Sequence, residues 1–150
     1  MLDSVARRTA LPYLAAAAGG VLGALARWGL GVALPHDAGS WPWATLLVNL
    51  TGCLLLGVLI TAVFARHPGS AWLRPFLGTG VLGGYTTFST FTVDAVQMAD
   101  AGSVGTAIGY VVASVVGGVL AAVAGVALGR SVLPTPVPLG AEVAAGEDVA

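Results

Sequence analysis

The sequence predicts an all-α membrane protein with four transmembrane helices per subunit, and its composition is the first observation behind that prediction. Hydrophobic residues make up 57% of the 150 and charged residues 9%, whereas a soluble domain normally carries about a quarter charged residues. So few charges cannot cover a soluble protein of this size, and apolar side chains must therefore face lipid. The second observation is that short polar connections separate four apolar runs, each long enough for the roughly 20 residues that cross a bilayer.

The four runs define the predicted spans in chain order. The first is interrupted only by Arg27, the second and fourth carry no charge, and the third contains Asp94 near its end. Arg7 and Arg8 ahead of the first run are also typical of a signal peptide, but the run continues past any cleavage site, which favours a span. We therefore predict an N-terminal segment at 1–10 and a transmembrane domain at 11–130, with spans at about 11–34, 41–65, 75–99 and 102–129.

The remaining residues and the charge balance exclude several classes of function. Residues 131–150 hold three prolines followed only by acidic charges, a composition that predicts a disordered tail. A net charge of −1 argues against nucleic acid as a partner, because its binding needs a basic face. The single cysteine, Cys53, cannot form an internal disulfide and fits a small buried apolar residue. The partner that the composition predicts is the lipid bilayer.

Glycines recur in every predicted span. Because lipid tails are as apolar as leucine, membrane helices associate through close backbone approach, which favours small residues at their contacts. We expect such contacts at Gly19 and Gly23 in the first span, Gly52 and Gly57 in the second, Gly78 to Gly84 in the third and Gly117-Gly118 in the fourth. This glycine density predicts a tight bundle that assembles into an oligomer.

The third span contains the stretch GGYTTFSTF at 83–91, a poor helix interior because glycine and β-branched threonine both disfavour the helix. We predict a helix break over Gly83–Thr87. Non-helical backbone at membrane depth is tolerated only inside protein or along a cavity, where its freed carbonyls can hold a cation.

Polar side chains at membrane depth are the candidates for function. Asn49 lies in mid-span with two amide donors and an acceptor, and both a ligand contact and an interhelical hydrogen bond remain open for it. Phe88 and Phe91 share a helix face, either as core residues or beside a polar path. Tyr110 and Ser114 are four residues apart and share a face of the fourth span. Arg27 either raises anion occupancy in a vestibule or extends to the headgroups.

Three motifs together resemble a known family. GALAR at 23–27, WATLLVNLTGCLLLG at 43–57 and GGYTTFSTF at 83–91, in this order in a four-span chain, resemble the CrcB or Fluc family of fluoride channels over roughly residues 13–130. The resemblance implies a dual-topology dimer in the cell membrane, the inner membrane of a bacterium, in which two antiparallel subunits form two fluoride pores around a structural Na⁺. The implied activity is passive export of fluoride, which lowers its toxicity.

The resemblance also implies residue roles. The Na⁺ would be held by the backbone carbonyls of Gly83 and Thr86, and Arg27 would stand in the vestibule. The fluoride pore would be lined by Asn49, Thr87, Phe88, Phe91, Tyr110 and Ser114. The family's next hydroxyl on the fourth helix falls on Gly118, which is a departure from the pattern. Donors such as amides and hydroxyls can replace the water that fluoride holds tightly, and ring edges carry partial positive charge.

Arginine distribution bears on the dimer. In a chain with four spans, both termini and the 66–75 connection lie on one side of the membrane, and that side holds five arginines. The remaining arginine is Arg27, inside a span. Because positive charges favour the cytoplasmic side, this distribution predicts cytoplasmic termini. A chain that inserts both ways should be nearly balanced. We therefore predict either a homodimer or a heterodimer with an oppositely biased homologue.

Rival functions fit the sequence less well. A small dual-topology multidrug exporter needs a carboxylate within the membrane. The only candidate in the predicted spans is Asp94, which is weak because it lies at the end of the third span. An enzyme is not expected, because His36 and His67 both lie in connections without a paired nucleophile. A structural membrane subunit would not explain Asn49 beside a hydroxyl-rich break.

Overall fold

A computed structural model describes residues 2–132 of the chain, with side chains from residue 10 onward, and these residues are helical with short connections and no β-strand. Two segments are wound as π-helix, in which the backbone is wider than in the α-helix. The helices are, in chain order, α1 (Leu2–Ala33), α2 (Trp43–Val58) with a π-helical continuation (Leu59–Phe64), a π-helical segment (Arg74–Leu82) that leads into α3 (Gly83–Tyr85), α4 (Phe88–Asp100) and α5 (Val104–Val132).

Three of these helices are long and apolar enough to cross a membrane: Ala10–Ala33, Trp43–Phe64 and Val104–Val132. They coincide with the first, second and fourth predicted spans within a few residues. The helix α1 begins at Leu2, so residues 2–10, predicted as a separate segment, continue into the first span. Residues 131 and 132 complete α5, and the rest of the predicted tail, 133–150, lies outside the described residues.

The third predicted span is divided by a break that is narrower than the sequence suggests. Gly83 and Tyr85 are helical, whereas Thr86 (φ −73°, ψ 158°) and Thr87 (φ −149°, ψ 125°) are extended. Glycine propensity alone placed the start of the break at Gly83, but packing against α1 keeps this turn helical. Neither half of the third segment reaches the length of a membrane span by itself.

Glycine contacts hold α1 against the third segment, as predicted. A Cβ atom on Gly19 or Gly23 would meet backbone atoms of Phe76, Val81 and Tyr85, so the two backbones approach more closely than any larger residue allows. A similar approach joins α2 to α5, where Gly57 faces the backbone of α5 around Gly125. These two helix pairs fix the position of the break between them.

Candidate functional site

Asn49 bridges the helix break with two hydrogen bonds. Its Nδ2 donates to the backbone carbonyl of Thr87 over 2.9 Å, and the backbone N–H of Thr87 donates to its Oδ1, also over 2.9 Å. The Asn49 side chain thus accepts the N–H of Thr87, which would bond the Gly83 carbonyl in a continuous helix. The Thr87 carbonyl, at the N-cap of α4, accepts the Asn49 amide in addition to the first backbone bond of that helix. One of the two amide N–H groups of Asn49 has no part in this pairing and remains able to donate to a ligand.

Thr87 also caps the helix that follows the break. Its Oγ1 accepts from the backbone N–H of Thr90 over 3.1 Å and donates to Oγ1 of Thr90 over 3.0 Å. The N-terminus of α4, with its partial positive charge, therefore begins directly at the break, beside the predominantly apolar cavity described next. The predicted pore hydroxyl of Thr87 is engaged in this cap, so its main role in the structure is to start α4.

Seven of the nine predicted site residues border one cavity of about 450 Å³ beside the break. The cavity is predominantly apolar, and its other lining residues come from α2, α5 and the third segment. The sequence-predicted residues on its wall are Asn49, Gly83, Thr86, Thr87, Phe88, Phe91 and Ser114. The two predicted residues that do not border it are Arg27 and Tyr110.

The two phenylalanines differ in their surroundings. Their ring centroids lie 5.8 Å apart at 44°, so the shared face predicted for Phe88 and Phe91 exists. Phe91 packs against the ring of Tyr110 at 5.3 Å and belongs partly to the core. Phe88 is 80% exposed at the surface of the subunit, which is not the position of a core residue.

The predicted polar stripe on α5 is split between cavity and core. Ser114 borders the cavity, whereas Tyr110 is fully buried with Leu46, Met98 and Ala107. Within residues 10–132, neither the Ser114 Oγ nor the Tyr110 Oη has a hydrogen-bond partner, although both atoms are buried. The Tyr110 hydroxyl lies beside those of Ser114 and Thr45, so small rotations can pair these groups with one another, and Ser114, on the cavity wall, is the one placed to reach a polar ligand.

Arg27 extends toward the break. Its Nη1 donates to the backbone carbonyl of Thr86 over 3.3 Å, so the alternative in which it reaches for the headgroups is not the one adopted. Arg27 also borders a second cavity of about 320 Å³, on the other side of Thr87. Hydroxyls of Thr45, Ser89 and Thr90 share that cavity, which gives a cationic and donor-rich chamber next to the break.

The carbonyls of Gly83 and Thr86 are freed by the break. In a continuous helix the Gly83 carbonyl would accept from the N–H of Thr87, but this N–H donates to Asn49 instead. Thr86 adopts an extended ψ, and its carbonyl accepts only the long contact from Arg27 among the side-chain bonds of the described residues. Both residues border the main cavity. Backbone carbonyls freed in this way are suitable ligands for a hard cation such as Na⁺.

Two features of the site were missed by sequence reasoning. The cap by Thr87 could have been found, since a threonine directly ahead of a helical run is an N-cap signal. The contact between His36 Nε2 and Asp94 Oδ1, at 3.5 Å, could not, because no local pattern pairs a residue of the 34–42 connection with one on α4. Asp94 is 5% exposed and borders neither cavity.

Comparison with known proteins places the chain in a family. Residues 14–126 match the family model described as "CrcB-like protein, Camphor Resistance (CrcB)". The chain is 43% identical over 118 residues to the fluoride-specific ion channel FluC of Paracoccus denitrificans, covering 79% of this chain and 94% of that protein. It is 45% identical over 118 residues to FluC of Chloroflexus aurantiacus (78% and 94% covered) and 49% identical over 111 residues to FluC 2 of Thermobifida fusca (73% and 82% covered). The resemblance inferred from the three motifs is confirmed: the chain belongs to the CrcB family.

Proposed function

We propose that this chain is the subunit of a passive, fluoride-specific ion channel of the cell membrane. The observation that carries the proposal is the cavity at the helix break, which brings Asn49, Phe88, Phe91 and Ser114 together beside the N-terminus of α4. Relatives that match over nearly their whole length are named fluoride-specific ion channels. These names describe a non-enzymatic activity, in agreement with the expectation that the chain is not an enzyme.

The chemistry of the cavity suits a small anion that must lose its water. The free N–H of Asn49 and the unpartnered hydroxyl of Ser114 are donors, and the edges of the two phenyl rings carry partial positive charge. The N-terminus of α4 and the Arg27 guanidinium, which lies in the second cavity across Thr87, add positive potential at the break. Fluoride is the halide that gains most from such donors, because it is the smallest and the strongest hydrogen-bond acceptor.

Transport by this path needs no energy source and runs down the electrochemical gradient. Fluoride that enters a cell as neutral HF dissociates in the cytoplasm, so the downhill direction for the anion is outward and its toxicity falls. The relatives come from bacteria, which supports the inner membrane as the location. The exporter alternative is disfavoured, since Asp94 lies beside His36 and away from both cavities. A structural subunit would have no use for the donors that the cavity collects.

A structural Na⁺ is the second part of the proposal. The two carbonyls that would hold it, those of Gly83 and Thr86, are freed by the break and border one cavity. A hard cation takes more oxygen ligands than these two, so one subunit supplies an incomplete site and a second subunit would have to complete it. Bound at this place, the ion would satisfy carbonyls that the helix break leaves without backbone partners.

We further propose a dimer in which the third segment crosses as a broken helix; the exposed surface supports a covering partner, and the antiparallel orientation is what the family resemblance implies. Phe88 is 80% exposed, and Thr51 and Tyr85 share a hydrogen bond of 2.9 Å on an exposed face. Polar atoms at this depth are unfavourable against lipid, so a second subunit is the better cover. The arginine bias leaves both a homodimer and a heterodimer with an oppositely oriented homologue as candidates.

Purified protein in liposomes is expected to release fluoride rapidly and chloride slowly. The Phe88→Ile variant is expected to lower the fluoride rate by about tenfold or more, which corresponds to about 1.4 kcal/mol in the barrier. Because Phe88 is exposed, the subunit should keep its fold. An ion-selective electrode measures both anions in the same preparation.

The matched control is Val123→Ala. This change shortens an exposed apolar side chain that lies on α5 and borders neither cavity, and it should leave the fluoride rate unchanged. Equal release of chloride and fluoride would contradict fluoride specificity. Fluoride release by this chain alone would show that copies of this chain suffice and that no different homologue is required. Absence of release, both alone and with an oppositely biased homologue, would overturn the channel proposal.

Sodium is expected to stabilise the purified assembly. By mass action, an ion present at a hundredfold excess over its Kd contributes about 2.7 kcal/mol to the free energy of unfolding. The melting temperature should therefore be higher in NaCl than in choline chloride of equal ionic strength. Identical melting in the two salts after exhaustive exchange would remove the support for a Na⁺ site.

A further inference from the structure

A chain of aromatic contacts joins Phe91, on the wall of the main cavity, to Trp41 in the connection between α1 and α2. Tyr110 contacts Phe91 with ring centroids 5.3 Å apart, and Trp41 meets Tyr110 edge to face at 5.9 Å and 82°. Trp41 also lies over Gly109, where a Cβ atom would be 3.7 Å from its ring. Tyr110 is fully buried and Trp41 half-buried, and neither borders either of the two cavities described above.

Buried donors without partners lie along this run of contacts. Among the side chains of residues 10–132, the Trp41 Nε1, the Tyr110 Oη and the Ser114 Oγ are buried and make no hydrogen bond. An indole N–H can only donate, and a buried donor without an acceptor is rarely tolerated in a folded protein. The Tyr110 hydroxyl has those of Ser114 and Thr45 beside it, whereas the Trp41 indole N–H has no acceptor within hydrogen-bond distance.

We propose that Trp41 donates its indole N–H to the permeating anion beyond Phe91, next to Tyr110, and that this contact contributes to the selectivity for fluoride. The inference rests on the proposed channel function and extends it to a residue outside the predicted pore set. A group that only donates attracts an anion and offers nothing to a cation. The indole packs against Tyr110 and Gly109, and these contacts orient its donor before the anion arrives.

Asp94 supplies the competing explanation. Its carboxyl group is 5% exposed and lies near Tyr110, with Oδ1 at 3.5 Å from His36 Nε2 and with Oδ2 buried and unpartnered. A small movement that brought the indole N–H to this oxygen would give Trp41 a purely structural role. The two roles differ in one property, because only the anion site makes the indole N–H sensitive to fluoride.

The decisive measurement is the ¹⁵N-indole spectrum of the whole wild-type protein during titration with NaF, with NaCl at equal sodium as the reference. The chain has four tryptophans, and W41F and W43F assign the two neighbouring signals. Trp43 is the internal control, since its ring lies 5.8 Å from Trp41 but is largely exposed. The Trp41 signal is expected to shift saturably with fluoride and not with chloride. A Trp41 signal that responds equally to both salts would overturn the proposal.

Efflux provides the functional counterpart. W41F keeps an aromatic ring and removes the donor, so its fluoride rate is expected to fall about tenfold, the effect of one lost hydrogen bond, while W43F keeps the wild-type rate. A conducting wild type with an equally fast W41F would overturn the assignment of Trp41 alone. If the wild-type protein itself released no fluoride, this result would overturn the channel function on which the inference rests.

Discussion

The Asn49→Leu variant is expected to lose fluoride efflux and much of its stability together. Leucine has a similar volume but leaves the N–H of Thr87 without a partner and removes the second bond to its carbonyl, which keeps the first backbone bond of α4. An unsatisfied buried group costs about 1–3 kcal/mol and a lost hydrogen bond about 0.5–1.5 kcal/mol, so the free energy of unfolding should fall by about 1.5–4.5 kcal/mol. The same change removes the amide donor from the cavity wall. Thermal unfolding and liposome efflux measure the two effects separately.

A matched change elsewhere in the second apolar segment separates this effect from the loss of any polar group in the membrane. The Thr61 hydroxyl donates only to carbonyls of its own helix, over 2.8 Å to Gly57. Thr61→Val removes this hydroxyl but leaves the backbone hydrogen bonds of the helix in place, so it should lower the free energy of unfolding by less than about 1 kcal/mol. If Asn49→Leu melted like the wild type and lost efflux alone, Asn49 would be a pore donor without a structural role, and the bridge across the break would not matter.

The spans could be predicted from the sequence because the bilayer imposes length and composition on each helix separately. Runs at 11–34, 41–65 and 102–129 became helices with ends shifted by a few residues. The close approach at Gly19 and Gly23 was likewise readable, since small residues are what membrane helices need at their contacts. These features depend on local composition and on the solvent, which one sequence contains.

The position of the break could be predicted only in part, because a distant residue sets it. Local propensity marks Gly83 to Thr87 as weak helix, but the turn at Gly83 remains helical against α1. The chain leaves the helix at Thr86 and Thr87, where Asn49 supplies replacement hydrogen bonds from α2. Two interpretations of Asn49 were open from sequence, a ligand contact and an interhelical bond. The bond is present, and the second N–H keeps the ligand contact available.

The site residues were predicted as a set better than as individuals. Seven of them border one cavity. However, the Thr87 hydroxyl caps α4, and Tyr110 is buried in the core outside the cavity. Which hydrogen bond a side chain makes depends on the three-dimensional packing of α2, α4 and α5. The same reason hides the contact of His36 with Asp94, which joins a connection to a helix far along the chain.

Gly23→Ala is expected to disrupt the bundle where α1 packs directly against the backbone of the third segment. A methyl group there would coincide with the Val81 carbonyl oxygen and lie 2.7 Å from the Tyr85 backbone nitrogen. Because these are backbone atoms, no side-chain rotation can relieve the overlap, and α1 must move away from the third segment. Overpacking of this kind costs about 1–3 kcal/mol or more. Since Tyr85 directly precedes the break, the displacement should also reach the cavity and lower fluoride efflux.

Gly29→Ala on the same helix tests whether this effect comes from contact or from flexibility. A Cβ atom on Gly29 would have no neighbour within 4 Å. Alanine is the better helix former by up to about 1 kcal/mol, so the variant should melt no lower than the wild type. If flexibility of α1 were what the glycines provide, both variants would alter efflux alike. A loss confined to Gly23→Ala would instead show that the distance between α1 and the third segment holds the break in place for conduction.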